Sequence, residues 1–351
     1  MKKSLLALAA FGLFAGAASA QSTVTLFGIV DAGYARLSAK TTAGSKTVQG
    51  ITNSGLNSSR LGFRGVEDLG GGLKAGFWLE GQLTNDDGNA AGLNFQRRST
   101  VSLMGNFGEV RLGRDFTASF WNLTVYDPFG TNGVGTNLSI GMLGAAGNGT
   151  NAVRSNNTLG YFLPGDLGGF SGQVQIGFGE QLSGVKTNNY FGFRFGYAAG
   201  PISAHLAYGK TEGATDSLDA KYTNFGASYD FGMVKPMLLI AQEKSGSGLK
   251  VAAVEIGAVA PVGQGEIRAA YSRYNQSNGT AAWNSADYNK FAVGYGYNLS
   301  KRTQLYGTYA RVSNKGSQSK VVANNGLAFT GATILGGKNA SGVEFGIRHI
   351  F

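Results

Sequence analysis

Short segments in which apolar and polar side chains alternate one for one recur through most of this chain. At 73–84 one side carries Leu73, Ala75, Phe77, Leu79 and Leu83, and the other Lys74, Trp78, Glu80, Gln82 and Thr84. At 170–179, Phe170, Val174, Ile176 and Phe178 oppose Ser171, Gln173 and Gln175. Residues 189–198 set Phe191, Phe193, Phe195 and Tyr197 against Arg194 and two glycines, and 287–298 set Phe291, Val293, Tyr295 and Tyr297 against Lys290, Gly294, Gly296 and Asn298. A period of two is the mark of a β-strand with one apolar and one polar face. Two architectures use such strands throughout: a soluble sandwich, and a membrane barrel with lipid outside and water inside.

Connection lengths separate the two. Sixteen candidate strands run near 23–37, 58–68, 73–84, 95–105, 108–114, 153–163, 170–180, 189–199, 202–212, 219–231, 235–243, 250–260, 265–275, 287–298, 302–313 and 342–351. Alternate connections are tight, as at Leu69 to Gly72, Asn106 to Phe107, Gly200 to Pro201 and Leu299 to Lys301. The others are long: Ser38 to Asn57, 115–152, Gln276 to Ala286 and Asn314 to Ser341. An even-stranded antiparallel barrel with short turns at one rim and long loops at the other has this pattern, and a sandwich has no reason to keep its long loops at one end. Composition agrees. With 57 Gly, 22 Phe and 15 Tyr but 5 Pro in 351 residues, the chain suits a large sheet with frequent turns and is too aromatic for a disordered one.

Residues 1–20 read as an export signal: Lys2 and Lys3 form a positive start, an apolar stretch runs from Leu5 to about Ala15, and Ala18-Ser19-Ala20 is a small-residue cleavage site. The mature barrel is then expected over 21–351, and losing the two lysines takes the formal charge from +10 to +8. No later run of about 18 apolar residues offers a transmembrane helix. There is no cysteine, which removes disulfide scaffolds, thiolate metal sites and Cys nucleophiles. The last ten residues, from Gly342, alternate Val343, Phe345, Ile347, His349 and Phe351 on one face and stop on the aromatic.

The stretch 115–152 is the exception to alternation. Rich in Gly, Thr and Asn, it is too long for an ordinary connection, and such loops are usually functional. Arginines lie close to both ends, with Arg97, Arg98, Arg111 and Arg114 before it and Arg154 after it. The expected placement is inside a barrel, facing a basic wall, with no regular structure of its own.

Several motifs together resemble the sixteen-stranded general porins of Gram-negative outer membranes, in the form common in beta-proteobacteria. They are the segment Val24 to Gly33 (VTLFGIVDAG), Ser59 to Gly70 (SRLGFRGVEDLG) with Gly72 to Ala75, Val110 to Arg114 (VRLGR), Asp127 to Gly130 (DPFG) and the terminal Phe351. The resemblance covers nearly the whole mature chain. It implies an all-β, 16-stranded antiparallel transmembrane barrel in the outer membrane, a homotrimer in outer-membrane lipid, and a third external loop, here 115–152, folded inward to narrow a water-filled pore. A loop near Asn85 to Leu93 is expected to reach across to the next subunit. The terminal Phe351 resembles the signal that the outer-membrane assembly machinery reads.

The family sets a ladder of basic residues opposite the inward loop, and the matching positions are Arg60, Arg97 and Arg154. Arg64 lies further along the strand on the same face as Arg60, since Leu61 and Phe63 take the other. Simple alternation places Val101 and Leu103 on the face of Arg97 and so points Arg98 inward, while the resemblance favours Arg97; the two readings stay open. The loop's acids are Asp115 and Asp127, the latter in Asp127-Pro128-Phe129-Gly130. Asp127 is expected at the narrowest point, with capping of the turn before Pro128 as the competing role. Tyr126 and Phe129 read as anchors of the loop. Fixed charge in a narrow bore concentrates the opposite ion, so arginines outnumbering carboxylates predict a preference for anions.

Three functions remain in view: a passive, anion-preferring channel for small anionic and neutral solutes; an anion channel with a site for phosphate or small carboxylates; and a barrel whose loops mainly bind a surface partner. Catalysis has little support. The two histidines, His205 and His349, lie on distant strands, and there is no nucleophile elbow or phosphate-binding loop. The pair Asp86 and Asp87 reads as a solvated turn rather than a metal site, no cofactor is expected, and singly spaced arginines do not suit nucleic acid.

Overall fold

A computed structural model describes residues 23–88, 94–137, 152–182, 184–322 and 326–351. The expected export signal at 1–20 and the second half of the Asn85 to Leu93 loop lie outside the described residues.

Seventeen described strands form one sheet in which each pairs antiparallel with its neighbours and the last returns to the first. The first strand, β1 (Thr23–Thr41), pairs along 29–39 with β17 (Ala340–Ile350). Its other edge is shared: β3 (Arg60–Gly70) takes 23–29, and β2 (Gly44–Asn53) takes 32–41. The two segments are therefore the halves of one barrel strand interrupted at 54–59, and the wall is a closed, sixteen-stranded antiparallel barrel. Closure leaves no sheet edge in the hydrocarbon, as lipid requires.

This corrects one expectation from the sequence. The stretch Ser38 to Asn57 reads there as a long loop, but residues 44–53 within it are a strand, hidden in the sequence by Gly, Ser and Lys at the alternating positions. The upper half of β1 carries backbone groups that need partners, and β2 supplies them through a tight turn with Gly44 at φ 91. At the interruption, the buried Asp31 carboxylate accepts the N–H groups of Gly55 (3.3 Å), Leu56 (2.8 Å) and Asn57 (2.6 Å) and the hydroxyl of Tyr306 (2.7 Å). One carboxylate thus satisfies backbone donors that the ladder leaves out.

Alternation fixes which side chains face lipid. Leu206, Phe225, Ile240, Val254, Phe345 and Ile347 are exposed on the outside, while their strand neighbours His205, Asn224, Leu239, Glu255 and Glu344 are buried on the inside. The short-turn rim bears Tyr295, Tyr297 and Phe351 at its outer surface. Phe351 also completes the barrel seam. Its backbone exchanges two 3.1 Å hydrogen bonds with Gly28, and its ring lies over that glycine so closely that a Cβ there would approach within 2.3 Å.

Candidate functional site

The third long connection leaves the wall after β6 (Gly108–Phe116) and returns at β7 (Arg154–Phe162). It is not without regular structure as expected: Ala118–Val125 form a helix, α1, whose first turn is capped by the Thr117 hydroxyl accepting from Phe120 N–H at 3.3 Å. A Thr directly before a mixed aromatic and polar run is a capping signal of modest strength. Residues 138–151 lie outside the described residues, and their sequence holds no charged side chain.

The described part of the loop is fastened to the inner faces of strands far away in sequence. Asn122 donates to the His205 carbonyl at 2.9 Å and accepts from Arg194 at 2.7 Å, and Asn224 donates to the Ser119 carbonyl at 2.8 Å. The Tyr126 hydroxyl shares hydrogen bonds with His205 Nδ1 (2.6 Å) and Ser203 Oγ (2.8 Å). Further on, Val134 N–H donates to Glu344 at 3.0 Å, and Lys290 donates to the Thr136 carbonyl. Tyr126 and Phe129 are buried in an apolar cluster with Leu123, Val134, Leu239, Ala253 and Ala292.

Two glycines shape this seat. A Cβ on Gly226 would come within 1.9 Å of the Tyr126 ring, and one on Gly257 within 2.4 Å of Pro128 Cγ. The wall is bare where the loop lies closest.

Between loop and wall is a cavity of about 1060 Å³. Arg60 and Arg64 enter it from β3, Trp78, Glu80 and Gln82 from β4 (Leu73–Gln82), Arg97 and Arg98 from the start of β5 (Arg98–Gly105), and Arg154 from the start of β7. All four arginines expected from the sequence therefore line one space. The alternative left open at Arg97 and Arg98 resolves as both. Arg98 is on the inward face, opposite Val101 and Leu103, which are exposed outside. Arg97 precedes the strand, where alternation no longer binds it, and its backbone N–H donates to the Glu80 carbonyl at 3.0 Å.

Glu80 is the single acidic side chain among the described lining residues. It holds Arg97 at 2.7 Å and stands 3.7 Å from Arg60. Sequence alternation placed Glu80 on the polar face of its strand without marking its partners, which come from β3 and from the residue before β5. Arg64 lies over the rings of Phe27 (5.4 Å) and Trp78 (5.2 Å), Arg98 over Trp78 (4.6 Å), and Arg154 over Phe116 (4.5 Å) while its Nε donates to the Arg97 carbonyl at 2.8 Å. Aromatic faces and a carbonyl hold these guanidinium groups in position, and Asp115 stands 3.8 Å behind Arg98.

From the loop side the cavity receives Phe116, Phe120, Trp121, Thr124, Gly130, Thr131, Asn132, Thr136 and Asn137, none of them acidic. Of the motif Asp127 to Gly130, Gly130 alone lines it. Asp127 is buried: one oxygen accepts from Phe129 N–H (2.8 Å), the other from Thr131 N–H (3.0 Å), Asn137 N–H (2.9 Å) and Asn137 Nδ2 (2.9 Å). This is the partner set of the competing reading, a carboxylate that folds its own loop. Asp115 is also buried, within 2.6 Å of Arg111 and 3.8 Å of Arg98. His349 shares a 2.9 Å hydrogen bond with Thr303 at the exposed surface, whereas His205 is buried against Tyr126. Among the described residues no three metal-ligating side chains cluster.

Comparison with known proteins gives concordant matches. A family profile described as Gram-negative porin matches residues 5–317. Outer membrane porin protein 32 of Delftia acidovorans is 44% identical over 363 residues, covering 100% of both chains. An outer membrane porin protein of Bordetella pertussis is 30% identical over 382 residues, 89% of this chain and 94% of that one. Among solved structures, the anion-selective porin from Comamonas acidovorans superposes with a TM-score of 0.84 at 41% identity, over 94% of this chain and 100% of that one. The trimer form of OmpT from Vibrio cholerae, at 16% identity and a TM-score of 0.65 over 94% and 99%, shares the fold.

Proposed function

The chain belongs to the Gram-negative porin family of the outer membrane, and from that premise we propose that it is a homotrimeric, passive diffusion channel whose basic waist favours small anions over cations. The carrying observation is the charge at the cavity: five arginine side chains line it against the one acidic side chain Glu80, Asp115 behind Arg98 is shared with Arg111, and the described loop face is uncharged. Glu80 offsets one of these cations at close range, so the space keeps a positive surplus.

In a bore narrowed by the loop, that surplus raises the local concentration of anions and lowers that of cations. Loop residues 115–137 supply the narrowing, and 138–151 add no charge of their own. Tyr126, Pro128 and Phe129 act as anchors of the loop, Asp127 organises it, and Arg60, Arg64, Arg97, Arg98 and Arg154 set the selectivity. The anion selectivity of the Comamonas relative and the trimer form of the Vibrio one support the same reading. The family to which the chain belongs consists of channels, and the arginines and aromatic faces of this cavity suit the binding and orienting of anions in passage. Export through the signal at 1–20, lipid around the wall and delivery by the outer-membrane assembly machinery through the strand ending at Phe351 complete the proposal.

The test is the reversal potential of the purified protein in a planar bilayer under a potassium chloride gradient. The expected sign is that of chloride passing faster than potassium. A potential of the opposite sign, or no conductance, overturns the proposal.

A further inference from the structure

Four lysines stand side by side on the outer wall. Lys210 of β10 (Ile202–Thr211) is in register with Lys221 of β11 (Ala220–Tyr229), Lys221 with Lys244 of β12 (Lys235–Ser245), and Lys244 with Lys250 of β13 (Lys250–Val262). Adjacent strands are about 4.8 Å apart, so the row crosses roughly 14 Å of wall. The parity of each strand points all four outward, since Leu206, Phe225, Ile240 and Val254, four positions nearer the middle of the same strands, are exposed on the lipid side.

The three tiers of this wall are in register with one another. The lysines form the first, and Tyr208, Thr223, Gln242 and Ala252 the second. Leu206, Phe225, Ile240 and Val254 form the third, which belongs to the apolar belt. The order from rim to middle is cationic, mixed polar and apolar. The row lies at the rim of the long connections, which in such barrels is the external one.

Like charges placed directly opposite across strands repel, and a row of them calls for a counter-charge. Part of it is internal. Lys210 is held by Glu212 at 3.0 Å and Asp219 at 2.9 Å. Burial pushes the Asp219 carboxyl up, but the Lys210 hydrogen bond, the Gly213 amide and the charges of Lys210 and Lys221 outweigh it and hold the group below its ordinary range. Asp219 thus pairs directly with Lys210, and its charge also acts on Lys221. Asp216 is exposed in the same connection. Lys221, Lys244 and Lys250 form no ion pair among the described residues.

We propose that Lys221, Lys244 and Lys250 form an external binding site for a phosphate-bearing lipid of the outer leaflet, its phosphate held by the ammonium groups and its acyl chains lying on Leu206, Phe225, Ile240 and Val254. The layering matches such an amphiphile: anionic head at the rim, ester or sugar region on the polar tier, hydrocarbon below. Lysine suits the position because its four-carbon stem can lie along the apolar wall while the ammonium reaches the headgroup layer. The site is on the opposite side of the wall from the conducting cavity and does not depend on the ion preference proposed for it.

The test is native mass spectrometry of the full-length protein in neutral detergent with added dioleoyl phosphatidic acid, against dioleoyl phosphatidylcholine. The wild type should retain phosphatidic acid in preference. The triple variant Lys221→Gln, Lys244→Gln, Lys250→Gln should bind it on the order of a hundredfold more weakly, whereas replacing the same three by Arg should preserve binding. Bilayer conductance and reversal potential, read on the same preparations, should be unchanged in the Gln variant, which verifies its fold. Equal retention by wild type and Gln variant, or equal retention of the two lipids by the wild type, overturns the proposal. Displacement of the lipid by millimolar inorganic phosphate would also overturn it, by making the row a site for the free ion.

Discussion

Replacing Arg60 and Arg64 by Gln should weaken the anion preference by an amount that the cavity dimensions set. Both residues lie on β3, whose pairing with β1 and β4 is through the backbone, and neither anchors the loop. Arg64 forms no ion pair among the described residues, and the contact of Arg60 with Glu80 is long, at 3.7 Å, while Arg97 keeps Glu80 at 2.7 Å. A sphere with the volume of the cavity, about 1060 Å³, has a radius of roughly 6 Å, at which a unit charge in water acts on an ion with about 0.7 kcal/mol. At 0.1 M salt, with a screening length of about 10 Å, roughly 0.4 kcal/mol survives. The sign is opposite for chloride and potassium, so the difference between them is about 0.8 kcal/mol, or about fourfold in relative permeation for each arginine. Together the two replacements should lower the chloride to potassium ratio on the order of tenfold. The assay is the reversal potential in planar bilayers under a gradient centred on about 0.1 M, which should move toward zero. Raising the salt to about 1 M shortens the screening length to about 3 Å and should remove most of the difference between variant and wild type. Lysine at both positions should keep the wild-type value. An unchanged potential at the lower salt, or a shift of the same size at the higher, would refute the electrostatic account.

Gly226→Ala drives a methyl group into the Tyr126 ring, 1.9 Å away in the present geometry, and overpacking of this kind costs about 1–3 kcal/mol. Single-channel recordings of that variant should show a changed conductance or new gating noise as the loop leaves its seat, and a trace identical to wild type would count against the loop's role. Asp31→Ala strands the N–H groups of Gly55, Leu56 and Asn57 and the hydroxyl of Tyr306. Each buried unpaired group costs about 1–3 kcal/mol, so the barrel should lose its heat-resistant gel mobility at a lower temperature, with Asp31→Asn intermediate. Phe351→Ala removes the ring that covers Gly28 at the seam between β1 and β17; the yield of folded protein in the outer membrane should fall, and full yield would show that the ring is dispensable for assembly.

The sequence by itself determined sixteen of the seventeen described strands, the rim at which the long connections gather and the face on which the strand-borne arginines stand. These are local properties: a strand's alternation follows from its own backbone, and Arg60, Arg64 and Trp78 are assigned to a face by counting in twos. The existence of β2 was not legible, because it pairs to satisfy the upper edge of β1 and shows no clear apolar face of its own. The start of β5 was ambiguous for a related reason. Alternation holds within a strand, Arg97 precedes one, and so both it and Arg98 reach the cavity. What the tertiary structure alone decided is how charge is distributed among partners. Glu80 and Arg97 are 17 positions apart, and Glu344 meets the Val134 amide across 210. Asp127, an obvious acid in the sequence, is consumed by amides of its own loop, while Gly226 and Gly257, inconspicuous in the sequence, make the seat on which that loop rests. Side-chain direction is a short-range matter, but the neutralisation of a charge and the room for a ring depend on which distant strands closure brings within a few ångströms, and that is settled only when the cylinder forms.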